Sequence, residues 1–103
     1  TPKENKLDSI TVGGKEYRFK PEAKKLRVLR EVAKREQKLN ETDTLKLLTD
    51  DETLGAFVPI WDEYCGLIFE NPDDGLKIPN LEWSDIGKIK ESFFSFAVKA
   101  QTN

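Results

Sequence analysis

The apolar positions Leu54, Phe57, Val58, Trp61, Tyr64, Cys65 and Ile68 recur at i, i+3, i+4, i+7, i+10, i+11 and i+14, the spacing of one continuous face on an α-helix. The pattern predicts a helix opened by a capping box, with Thr49 as N-cap and Glu52 at N3, running to about Glu70. Pro59 inside it deletes the bond to the carbonyl of Gly55, so the helix either kinks there or breaks into two. So large an aromatic-rich face has to be covered, by the rest of the chain or by a partner.

A second stripe closes the chain. Ile86, Ile89, Phe93, Phe96, Ala97 and Ala100 repeat at helical spacing, with Phe94 and Val98 widening the face. Ser84 is the expected N-cap, and Lys99 in the last turn suits the helix dipole. Between the two stripes, Asn71-Pro72-Asp73-Asp74-Gly75 reads as a loop. An extended connector follows, in which Leu76, Ile78 and Leu81 tuck inward and Pro79 prevents a helix.

Near the start the period changes from helical to two. Two alternating runs flank Gly13-Gly14, the signal of a two-residue hairpin whose turn needs positive φ. Pairing Val12 with Lys15 sets Ile10 opposite Tyr17 and puts Ile10, Val12, Tyr17 and Phe19 on one face. A helix begins at Pro21 and runs to about Leu39, with Asn40 as its stop. Leu26, Leu29, Val32 and Ala33 point inward, with Val28 at the margin. The stretch 42–48 reads as one or two helical turns. The class is therefore α+β and mainly α: an N-terminal β-hairpin followed by a small bundle of three to five helices. Residues 1–7 read as a flexible polar lead and 8–100 as a single domain, hairpin 8–20 and helical body 21–100.

Charge changes this picture more than composition does. Residues 1–40 carry a balance of +6 and residues 41–103 a balance of −8, which the net charge of −2 hides. Such polarity either pairs up inside the fold or presents surfaces of opposite sign to partners or sister copies. The acidic remainder opposes a polyanion, so nucleic acid is an unlikely partner. No apolar run is long enough to span a membrane, and no signal segment opens the chain. A lone cysteine, Cys65, rules out an intrachain disulfide and fits a reducing compartment.

Candidate chemistry is sparse. The chain has no His, which removes the commonest general acid/base and the commonest metal ligand together. Asp50-Asp51-Glu52, Asp62-Glu63 and Asp73-Asp74 read as a helix cap, a solvated face and a turn. Gly13-Gly14 lacks the spacing of a phosphate loop, and Cys65 in its stripe reads as a small core hydrophobe. These residues point to no catalytic group, metal or cofactor. Two surfaces remain as candidates for partner binding. Arg27, Arg30, Lys34 and Lys38 form a basic helix face that is either an electrostatic dock or an ordinary solvated face with Glu31–Arg35 as an i, i+4 pair. The aromatic residues Trp61, Trp83, Phe93, Phe94 and Phe96 exceed what a few short helices bury, which leaves part of them for a binding patch or a homo-oligomer contact.

The order of elements is itself a pattern. A hairpin written Ile-Thr-Val-Gly-Gly-Lys-Glu-Tyr-Arg-Phe leads into a basic Pro-initiated helix and acidic helices, and Leu-Glu-Trp-Ser-Asp-Ile-Gly-Lys-Ile-Lys-Glu-Ser-Phe-Phe-Ser-Phe-Ala closes the chain. Over residues 8–100 this resembles the small tail assembly chaperones of long-tailed bacteriophages and related contractile particles. The resemblance implies a cofactor-free, non-catalytic protein in the cytoplasm of the bacterial host. Such a protein binds the tape-measure protein and keeps it soluble while tail-tube subunits polymerise around it. The family has no short signature that transfers residue by residue. A structural tail or baseplate component and a small regulatory adaptor are the alternatives, each consistent with apolar surface, abundant charge and no reactive group.

Overall fold

A computed structural model describes residues 8–98. It contains an antiparallel hairpin, β1 (Ser9–Val12) and β2 (Lys15–Arg18), followed by four α-helices: α1 (Leu26–Glu41), α2 (Thr44–Thr49), α3 (Asp51–Ile68) and α4 (Trp83–Ala97). The expected class, α+β and mainly α, is borne out. The expectations for residues 1–7, Lys99 and Ala100 lie outside the described residues.

The hairpin has the register the alternation requires, with Val12 opposite Lys15 and Ile10 opposite Tyr17. Gly13 and Gly14 turn the chain at φ +59° and +84°, a region that costs any residue with a Cβ. Ile10, Val12, Tyr17 and Phe19 are all buried on the predicted face. Past β2 the strand clasps the end of α3: Lys20 N–H donates to Ile68 O at 2.7 Å and Glu70 N–H donates to Arg18 O at 2.9 Å. This places Phe19 over Phe69, ring centroids 5.1 Å apart and nearly parallel. Phe93 and Phe96 of α4 close on Phe19 from the other side, at 5.7 and 5.0 Å.

α3 is the central post. Phe57, Trp61, Tyr64, Cys65 and Ile68 are buried along it, and α1 packs on its flank through Val32 and Leu39. Pro59 does not break the helix, which runs continuously from Asp51 to Ile68. Pro59 and Gly55 are both exposed, so the carbonyl that loses its partner faces water. The segment after α3 is pinned rather than merely tucked. Asp73 accepts from Tyr17 Oη at 2.7 Å, pairs with Lys15, and caps Gly75 N–H at 2.9 Å. Trp61 Nε1 donates to Leu76 O at 2.8 Å. Two short 3₁₀ turns, Asp74–Leu76 and Ile78–Asn80, replace the extended connector, with Pro79 inside the second.

Several boundaries differ from the sequence expectation, each for a local reason. Pro21 starts a 3₁₀ turn, Pro21–Lys24, and not α1 itself. Fully buried Ala23 fixes that turn, and Lys25 in an extended conformation resets the phase before α1 begins. The inward face of α1 is thereby rotated toward Val28, Val32 and Leu39. Leu26 is left 73% exposed and Ala33 is also exposed. α1 continues through Asn40 to Glu41. Thr49 ends α2, its hydroxyl donating to Leu45 O, so Asp50 is the N-cap of α3 and accepts from Thr53 N–H at 3.1 Å. α3 stops at Ile68 because Phe69 turns out to bridge Phe19. α4 starts at Trp83, one residue before Ser84, because Asp85 reaches back to the Glu82 N–H at 3.0 Å and makes Glu82 the N-cap.

Candidate protein-binding surface

Of the aromatic residues expected at a binding surface, Trp61 and Phe93 are not available in this fold. Trp61 is 0% exposed, its indole N–H is satisfied by Leu76 O, and its ring lies 5.5 Å from Tyr64. Phe93 is 4% exposed and meets Phe19, Tyr64 and Phe96. Both are core residues: Phe93 is turned toward Phe19 beside the hairpin, and Trp61 toward Tyr64 and the Leu76 turn. Phe94, one residue on, turns by about 100° and is 56% exposed.

Phe94 belongs to an outer face of α4, offset from the core stripe. Trp83, Gly87, Lys90, Phe94 and Val98 recur at i, i+4, i+7, i+11 and i+15, beside the buried Ile86, Ile89, Phe93, Ala97 row. Trp83 is 52% and Val98 42% exposed. Over these 15 steps the stripe is about 22 Å long. Gly87 adds no side chain to it, and a Cβ built there would meet nothing within 4 Å. The signal was present in the sequence as Trp83, Phe94 and Val98 at helical spacing, offset from the stronger core stripe.

At the Trp83 end the stripe meets a groove of about 340 Å³ between α4, α2 and the C-terminal end of α1. Leu39, Leu47, Phe57 and Ile86 supply its apolar lining. Lys90 is the charged side chain on its wall, its Nζ donating to Asn40 Oδ1 at 2.8 Å. α2 carries two more exposed apolar side chains, since only Leu47 of its three leucines packs inward. Leu45 and Leu48 are 70% and 67% exposed.

The basic row is laid out as its spacing requires. Arg27, Arg30, Lys34 and Lys38 are all exposed on α1. Glu31 is spent mainly on Arg35, at 2.9 Å, and Arg35 also reaches Glu63 of α3 at 3.1 Å. The Arg35 hydrogen bond and the nearby Lys34, 3.4 Å away, hold the Glu31 carboxyl below its usual range. Among the described residues Arg27, Arg30 and Lys38 form no ion pair, whereas Lys34 shares Glu31 with Arg35, so the positive charge of this row, about 16 Å long, is only partly compensated. None of the four lines the groove; α1 reaches it only through Leu39 and Asn40, beyond the Lys38 end of the row.

Cys65, Asp50, Asp62 and Asp73 are occupied elsewhere. Burial pushes the Cys65 thiol far up, so it stays protonated, and it is 3% exposed. Asp50 is a cap, held below its usual range by the Thr53 hydroxyl and N–H. Asp62 lies 3.8 Å from Lys77. Hydrogen bonds from Lys15 and then Tyr17 lower the Asp73 carboxyl to about 2. Among the described residues no three potential metal ligands converge, and no helix is long and apolar enough to cross a membrane. Compared with known proteins, the chain matches no family model, no curated protein and no solved structure.

Proposed function

We propose that the protein is a non-catalytic binding protein that covers an apolar helical segment of a larger protein. The partner implied by its resemblance to tail assembly chaperones is the tape-measure protein of a phage tail, with tail-tube subunits as the second. One observation carries this reading: the outer face of α4 exposes Trp83, Phe94 and Val98 in a single row beside an open apolar groove. Exposed aromatic side chains on one helix face are what a protein interface uses as anchors. The basic row on α1 adds long-range attraction for an acidic partner, strongest at low salt. Client holding asks for apolar surface, charge for solubility and a chemically inert chain.

Co-expression with a long helical tape-measure protein tests the reading. The wild-type chain is expected to raise the soluble fraction of that protein and to co-purify with it. Phe94→Asp is expected to lose both effects while keeping its helical circular dichroism. No gain in solubility with the wild-type chain overturns the proposal. Mass spectrometry of finished particles separates the roles further, since a chaperone is absent from them and a structural component is present.

A further inference from the structure

We propose that the segment captured by α4 is an amphipathic helix whose apolar stripe is flanked by carboxylates, and that Lys90 selects for it. This rests on the protein-binding reading of the α4 face and adds the chemistry of what binds. Lys90 sits in the middle of the exposed row, one turn from Gly87 and one from Phe94, at the lip of the groove. Its side chain is half-buried, and the atom it contacts is the neutral Oδ1 of Asn40. An ammonium carries three donors, so two remain for an incoming acceptor. The other polar side chains around the groove, Asn40, Thr42, Thr44 and Ser84, are uncharged. A cation at the edge of an apolar groove, with no carboxylate among the groove residues, complements an apolar group carrying negative charge. A lysine-flanked helix meets repulsion at the same point. The basic row on α1 favours the same sign of partner at longer range. Gly87 contributes open space on the groove wall, where it places no side chain between Trp83 and Lys90.

The experiment titrates the intact chain with two synthetic amphipathic peptides of about 16 residues, enough to match the stripe at 1.5 Å per residue. Both carry the same leucine face, flanked by Glu in one and by Lys in the other. Binding is followed by the emission of half-exposed Trp83. At low salt the Glu-flanked peptide is expected to bind roughly fivefold tighter, the scale of a single partly solvated ion pair. Lys90→Glu should invert the order, and high salt should level it. Gly87→Leu, which fills open space without touching the fold, should weaken both peptides with unchanged circular dichroism. Equal binding of the two peptides, or a preference that Lys90→Glu leaves alone, overturns the acidic assignment while sparing the protein-binding reading. Full binding by Gly87→Leu, or binding of neither peptide while the co-expressed partner is still held, removes the groove from the account. Sedimentation that shows a two-chain species, with Trp83 shielded and no competition from peptide, assigns the stripe to a second copy and overturns the proposal.

Discussion

Adjacent phenylalanines with opposite fates give the sharpest test of how α4 is used. Phe93 points at the hairpin and is 4% exposed, while Phe94 points outward and is 56% exposed. Truncating Phe93 to Ala removes a ring whose transfer from water is worth about 1.5–3 kcal/mol. It also removes edge contacts to Phe19 and Tyr64, at 5.7 and 6.5 Å, and leaves a cavity under α4. Together these place Phe93→Ala at about 3–5 kcal/mol of lost stability. For a domain of this size that is a fall in Tm of roughly 12 °C or more, and a large share of the ~5–15 kcal/mol that typically holds a fold. Phe94→Ala removes a ring already more than half in water, so it should cost about 1 kcal/mol or less. Urea unfolding followed by circular dichroism at one wavelength measures both. Similar losses for the two variants, or a loss above about 2 kcal/mol for Phe94→Ala, would refute the assignment of inner and outer faces.

Three further outcomes follow from local geometry. Asp50→Ala should destabilise α3 by about 1 kcal/mol, and Thr49→Ala by less, as read from thermal melts; the reverse order would restore Thr49 as the cap. Gly75→Ala should cost about 1–3 kcal/mol, because its Cβ would run into Tyr17 Oη, and Tyr17→Phe in the same chain should recover part of the loss. Asp73 has a folded pKa of about 2, below its usual 3.8, through Lys15 first and Tyr17 second. Its contribution is therefore complete above about pH 4 and is lost as the pH falls through about 2. Acid titration of Asp73→Asn should show a shallower loss of stability across that window, and an unchanged acid limb would count against the clasp.

Much of the fold was legible because two periodicities were written plainly in the chain. Gly13-Gly14 between alternating runs fixed the hairpin and its register, and the helical spacing from Phe57 to Ile68 fixed the central post. What stayed hidden depended on contacts across the fold. The phase of α1 is set by Ala23, buried to 0%, and by the extended Lys25, so the inward roles expected of Leu26 and Ala33 pass to Val28 and Leu39. Caps were misplaced by one or two residues because Thr49 and Ser84 are good cap residues by type, and only the three-dimensional reach of Asp50 and Asp85 decides between neighbours. The proposed binding surface was half legible. Phe94 and the basic row of Arg27, Arg30, Lys34 and Lys38 are exposed as expected. Trp61 and Phe93 went to the core, since residue type alone does not tell which of several rings the rest of the fold will cover. Trp83, with Gly87 and Lys90 below it, takes their place at the surface.

Acrylamide quenching of tryptophan emission in the complex tests most directly that a partner lies on the outer face of α4. The free chain should show two populations: buried Trp61, resistant to quencher, and half-exposed Trp83, readily quenched. Bound to its partner, the quenchable population should vanish and the emission shift to the blue. A complex that forms while Trp83 stays as quenchable as in the free chain would place the partner elsewhere and contradict the account.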